Sequence, residues 1–166
     1  PRCGGDLLGL IEHVAFTEPQ AAAATRGALL ATAALHRAGV VHLDIKPQNL
    51  LYRSPPSASS HSRFVTPAGQ PAELVLADFG CARELARSAA GGGGARGGWK
   101  ALRDNGAGTL FFTPPEVIEE GVQATSADVW GCGCVLFSLL HRRPPFVHDG
   151  ESEEMARLRI LRAEPL

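Results

Sequence analysis

Apolar positions along the chain fall into blocks separated by polar stretches rich in Pro, Gly and Ser. In the first block, Asp6 to Val14, residues Leu7, Leu8, Leu10 and Ile11 gather on one side and predict a short helix. Ala21 to Ala38, rich in Ala and Leu, predicts a longer one, with Thr17 as N-cap, Pro19 in the first turn and Gly39 as the stop. Val40 and Val41 lead into a polar loop, His42 to Asn49. Leu50 to Tyr52 and Leu74 to Leu76 predict two short strands, and Asp78 follows the second closely. Between them, Ser54 to Pro71 reads as a surface loop. Ser88 to Gly98 contains GGGGARGG and reads as a flexible insert. It lacks the preceding strand and following helix that a phosphate-cradling Gly loop requires. Thr125 to Leu140 is apolar nearly all round, the pattern of a helix at the centre of a domain. Ser126 is its expected cap, Asp128 lies in its first turn, and Pro144 and Pro145 end it. Ser152 to Leu161 begins one more helix.

The length of 166 residues suits one domain with a real core. A net charge of -1 points neither to nucleic acid nor to an acidic membrane surface. The longest apolar run, Val129 to Leu140, is too short to span a bilayer, and no signal-peptide pattern opens the chain. Cys3, Cys81, Cys132 and Cys134 show no C-x-x-C spacing. Unpaired thiols of this kind fit an intracellular, cytoplasmic protein.

Asp44, Lys46 and Asn49 lie on one short loop, and Asp78 stands at a strand end. Phosphoryl transfer needs a base or positioner for the attacking hydroxyl, a cation on the moving phosphate and oxygen ligands for magnesium. Asp44 suits the first task, Lys46 the second, and Asn49 with Asp78 the third. Blander roles fit single residues equally: Asp44 and Asp78 as turn residues, Lys46 as a solvated charge, Thr109 as a loop threonine.

HLDIKPQN, from His42 to Asn49, resembles the catalytic loop of eukaryotic serine/threonine protein kinases, and Asp78-Phe79-Gly80 resembles their magnesium-binding triplet. GTLFFTPPE, from Gly108 to Glu116, resembles the end of the activation segment. Asp128-Val129-Trp130 resembles the start of the central C-lobe helix, Arg143 to Phe146 the turn after it, and Gly4 to Leu7 the segment after the hinge. All six occur in the family's order. The resemblance implies a mainly α fold, a kinase C-lobe with short β-strands around the catalytic loop, drawn from an α+β parent whose N-lobe is absent here. It implies one partial kinase domain over 1–166, with inserts at about 54–71 and 88–107.

The resemblance further implies ATP and Mg²⁺ as cofactors and a protein substrate with a Ser or Thr acceptor. Asp44, Lys46 and Thr109 take catalytic roles; Asp6, Leu7, Lys46, Gln48, Asn49, Leu51 and Asp78 contact the nucleotide; Asn49 and Asp78 hold the metal. Leu7 and Leu51 would floor the adenine site on Val135 and Leu139, which share a helix face. Asp128 would brace the loop backbone, and His42 would pack under Phe79. Asp6 fits a ribose ligand or a helix-start aspartate. GGDLL, FTE and NLLY look most like the calcium/calmodulin-dependent group, which implies a regulator of that type outside this chain. The rival expectation is a catalytically dead kinase-like binding module.

Three departures stand out. No Gly-rich strand or strand lysine precedes Asp6, so the piece alone is expected to bind ATP poorly and to be marginally stable. The arginine that would pair with Glu116 falls past Leu166, leaving that carboxylate an expected buried orphan. Finally, Leu43 stands where the family carries an Arg that binds an activation-segment phosphate, and Leu cannot do so. Activity of the full-length protein should therefore survive replacement of every Ser and Thr between Ser88 and Thr113 except Thr109. Abolished phosphotransfer in that variant would refute a phosphate-independent switch.

Overall fold

In the computed structural model, residues 5–13, 15–53, 73–86, 102–103, 108–148 and 150–165 are described. The fold is mainly α, with short strand pairs between helices. Helices α1 (Leu7–His13) and α2 (Glu18–Arg37) come first. Strands β1 (Val40–Val41), β2 (Leu50–Tyr52), β3 (Leu74–Leu76) and β4 (Arg83–Glu84) follow, then β5 (Leu102–Arg103). Helix α3 (Pro115–Glu120), strand β6 (Val122–Gln123), and helices α4 (Thr125–His141) and α5 (Glu153–Arg162) complete the order. The strands pair antiparallel as β1–β4, β2–β3 and β5–β6.

Local chemistry sets the ends. The Thr17 N–H donates to Gln20 Oε1 at 2.9 Å, so the side chain three residues into α2 satisfies the cap backbone. Asp6 caps α1 by accepting from the Gly9 N–H at 2.8 Å. Ser152 caps α5, its hydroxyl accepting from the Met155 N–H. The α4 cap differs from expectation. Ala124 occupies that position, and Ser126 lies inside the helix with its hydroxyl turned to Glu116 Oε1 at 3.4 Å. Glu116 is thus a half-exposed acceptor rather than a buried orphan. Most of the two expected inserts lies outside the described residues. Within the second, Leu102 and Arg103 form a strand against Gln123 and Val122.

Two apolar clusters lie on opposite faces of α4. Cys132, Val135 and Leu139 join Leu7, Ile11, Ala21, Ala28, Leu50 and Tyr52 in the larger. Cys134 joins Phe112, Phe146 and Ile160 in the smaller, where Trp130 stacks on Phe146 at 5.5 Å. Burial pushes the Cys132 thiol up to about 11 and the Cys134 thiol to about 12, so both behave as small hydrophobes. Val129, at 53% exposed, and Leu140, at 40%, leave one stripe of the helix uncovered, so it is less enclosed than its sequence predicts. Among the described residues no helix is long and apolar enough to cross a membrane.

The approach of α4 to the polar loop depends on Gly131. A Cβ there would sit 2.8 Å from Ile45 Cβ and 2.9 Å from Ile45 O. Ala normally favours a helix over Gly by about 1 kcal/mol, but the clash with loop backbone should outweigh that gain. Gly131→Ala is expected to destabilise the chain by about 1–3 kcal/mol in urea unfolding. An unchanged midpoint would show that the loop can retreat from the helix without cost.

Candidate active site

The site is built from the His42–Asn49 loop upward. Val40 and Val41 anchor its entry by pairing with β4, and Leu50 to Tyr52 anchor its exit by pairing with β3. Pro47 to Asn49 close a single 3₁₀ turn between them. The loop is therefore held at both ends, and its polar side chains converge.

Asp44 is 7% exposed, with each carboxylate oxygen engaged. Oδ1 accepts from the Thr109 N–H at 3.0 Å and the Thr109 hydroxyl at 2.8 Å. Oδ2 lies 2.7 Å from Lys46 Nζ and accepts from Asn49 Nδ2 at 3.0 Å. Lys46 Nζ also donates to Thr109 Oγ1 at 2.7 Å, and Asn49 Nδ2 to the Asp44 carbonyl at 2.9 Å. Burial alone would raise the Asp44 pKa. The Lys46 ammonium, the Thr109 hydroxyl and the Asn49 amide together overcome it and hold the carboxyl below its ordinary 3.8. Asp44 is thus an ionised acceptor at neutral pH, aimed and charge-compensated.

Asp78 reaches the site across the β2–β3 ladder. Leu50 faces Leu76, and the Ala77 N–H donates to the Asn49 carbonyl at 2.9 Å. Asp78 itself is left-handed, at φ 59°, and its Oδ1 accepts from the Gly80 N–H at 3.1 Å. The turn leaves its carboxylate exposed beside the loop. With the Asn49 amide nitrogen directed at Asp44, that residue's carbonyl oxygen remains as a donor. One carboxylate and one carboxamide oxygen are hard ligands, the set that suits Mg²⁺. His42 tilts under Phe79 with ring centroids 5.1 Å apart, and its Nε2 donates to the Ala77 carbonyl at 3.1 Å. Phe79 is 50% exposed.

The other expected nucleotide residues are placed as follows. Leu7 is fully buried in the larger cluster with Val135 and Leu139, while Leu51 is half-buried above it and bridges to Asp6. Gln48 is exposed. Asp6 caps α1, the helix-start role, and is half-buried.

Behind the loop stands Asp128, 1% exposed. Its Oδ2 accepts from the His42 N–H at 2.9 Å, its Oδ1 from the Leu43 N–H at 2.8 Å, and His36 Nε2 donates to Oδ2 at 2.8 Å. These bonds hold Leu43 at φ 66°, a left-handed conformation that costs an ordinary residue about 1–2 kcal/mol. Gly108, at φ 98°, passes so close that a Cβ would sit 2.5 Å from the Leu43 carbonyl, which brings Thr109 against Asp44. His36 and Gly131 were not singled out from sequence. A Gly inside an otherwise apolar helix does signal close backbone approach; nothing local marks His36, 92 residues from its partner.

With this geometry established, comparison with known proteins is decisive. Residues 2–163 match the protein kinase domain family. The chain belongs to that family. A protein named "Probable myosin light chain kinase" from Dictyostelium discoideum is 32% identical over 150 residues, 90% of this chain and 26% of the relative. A serine/threonine-protein kinase from Phytophthora infestans is 30% identical over 168 residues, 98% of this chain and 38% of the relative. Human calcium/calmodulin-dependent protein kinase type 1B is 29% identical over 161 residues, 96% of this chain and 39% of the relative. This kinase domain segment spans between a quarter and two fifths of the length of these relatives.

Two outcomes are expected from the site. Lys46→Met should raise the Asp44 pKa by about one unit or more, read by carboxyl NMR titration, because the ammonium no longer opposes burial. Since the folded-state pKa lies below the unfolded value near 3.8, Asp44 stabilises the fold above that pH and loses this contribution as pH falls through the folded value. Acid stability should therefore be shallower in the Lys46→Met variant. Second, Asp128→Ala should cost about 3 kcal/mol or more in urea unfolding, because the His42 and Leu43 N–H groups would be buried without an acceptor.

Proposed function

We propose that this chain carries the catalytic loop and metal-binding half of a protein serine/threonine kinase, acting on Ser or Thr of protein substrates. The observation that carries the reading is the closed arrangement of Asp44, Lys46, Asn49 and Thr109. It places an ionised carboxylate, an ammonium and a carboxamide around one point.

The proposed roles follow from that arrangement. Asp44 orients the acceptor hydroxyl and takes its proton, its low pKa being matched to positioning more than to strong basicity. Lys46, 2.7 Å from Asp44, offsets charge on the transferring phosphoryl oxygens. Thr109 fixes both and sets the edge on which the substrate chain lies. Asn49 and Asp78 present the oxygen ligands for Mg²⁺, and Leu51 the apolar surface for adenine. ATP with Mg²⁺ supplies, when bound, the transferable phosphoryl group and its charge neutralisation. The α- and β-phosphate contacts of a kinase are expected from residues outside this chain.

The names of several relatives support a regulator of calcium/calmodulin type acting outside residues 1–166. A cytoplasmic setting goes with the same reading, since Cys81, Cys132 and Cys134 are unpaired.

The test is phosphate transfer from radiolabelled ATP with Mg²⁺ to a Ser/Thr peptide library by the full-length protein. Asp44→Asn should lower kcat by at least about 100-fold with peptide binding retained. Absence of transfer by the wild type, or equal transfer by Asp44→Asn, would turn the assignment to the kinase-like binding module.

A further inference from the structure

The region beside the catalytic loop holds a groove that the phosphotransfer geometry does not use. Its volume is about 490 Å³, and it is lined by Leu110, Glu153, Glu154, Arg157, Leu158 and Leu161. Leu110 begins the 3₁₀ turn Leu110–Phe112, immediately after Thr109, whose hydroxyl holds Asp44. The remaining lining residues come from α5. That helix buries Ala156 and Ile160, Ile160 in the smaller cluster, and so cannot rotate to hide its other face. Glu154, Leu158 and Leu161 recur at four- and three-residue intervals and therefore share one stripe. Leu158 is 41% exposed, and Leu110 and Leu161 are half-buried. The floor is thus apolar and the upstream rim carries two carboxylates against one guanidinium. Arg157 lies four residues after Glu153, within reach to balance that charge, which leaves Glu154 as the excess.

We propose that this groove selects the protein substrate: it receives an aliphatic side chain flanked by Lys or Arg, close in sequence to the phosphoacceptor. The inference rests on the kinase reading above and deepens it. Continuity fixes the occupant as the substrate chain. Thr109 touches the catalytic carboxylate, and Leu110, the next residue, already lines the groove. An extended chain advancing about 3.3 Å per residue crosses that interval in about three residues. Charge complementarity fixes the flank, because a basic side chain meets the Glu153–Glu154 rim as the aliphatic one covers Leu158 and Leu161. An acidic flank would face two carboxylates.

The experiment uses the full-length protein with ATP, Mg²⁺ and two Ser peptides. Both carry Leu within three residues of Ser, flanked by Arg in one and by Glu in the other. Fluorescence polarisation of the same peptides is measured in parallel. The wild type should favour the Arg peptide in kcat/KM, mainly through KM. Glu153→Lys/Glu154→Lys should shift the Arg-to-Glu preference ratio by about tenfold toward the acidic peptide, with Glu153→Gln/Glu154→Gln between the two. Leu158→Ala should weaken binding of both. A preference ratio that does not move in the charge-reversed variant, while the wild type phosphorylates peptide, overturns the groove and leaves the kinase reading intact. Charge-dependent peptide binding without transfer supports the groove and overturns the kinase reading. Concentration-dependent dimerisation abolished by the charge reversal, with peptide preference unmoved, assigns the face to a second copy and overturns the substrate proposal.

Discussion

The arrangement of the site depends on one buried carboxylate. Asp128 sits in the first turn of α4 and receives three donors: two consecutive backbone N–H groups of the catalytic loop and the ring of His36 at the end of α2. A carboxylate this deeply buried is tolerable only when its oxygens are satisfied, and the donors are in turn buried groups that need an acceptor. The requirement is mutual, so helix, loop and helix are bound to one position. It also sustains the left-handed Leu43, a conformation the loop would not hold unaided. The reversal there turns the loop toward Asp44 and leaves its carbonyl facing Gly108.

From that anchor the site is assembled by short links. The strand pairs are only two or three residues long and contribute little by themselves. They matter because each sets a register. Pairing of Leu50 with Leu76 places Asp78 next to Asn49, and pairing of Val41 with Arg83 keeps the following segment against the loop entry. Apolar burial on both faces of α4 supplies the rigidity, and polar bonding at its first turn supplies the orientation.

The sequence made some of this legible and hid the rest for physical reasons. Asp44, Lys46 and Asn49 were readable because their chemistry is concentrated in six residues. The long helices showed through their apolar runs. Strands β4, β5 and β6, of two residues each, are too short for any alternation to register, and the six-residue α3 beginning at a Pro pair carries no periodic signal. Ser126 looked like a cap because Ser favours that position, yet its hydroxyl serves Glu116 and the helix begins one residue earlier, after Ala124. The His36–Asp128 contact spans 92 residues, and only the folded chain brings its partners together. Asp6 was ambiguous in the sequence, and its bond to Gly9 accounts for it structurally whether or not it also meets a ligand.

Gly131 carries a mechanical implication. Where most packed elements are separated by interdigitating side chains that can change rotamer, α4 meets the catalytic loop with almost nothing between its backbone and Ile45. Rotamer hopping cannot absorb a displacement at such a contact, because there is no side chain on the helix side to hop. Any shift of the loop toward α4 must move the helix itself, with both apolar clusters attached. The catalytic aspartate therefore inherits the slow, small-amplitude motion of the domain core, and loop and helix behave as one stiff body on the timescale of side-chain fluctuation.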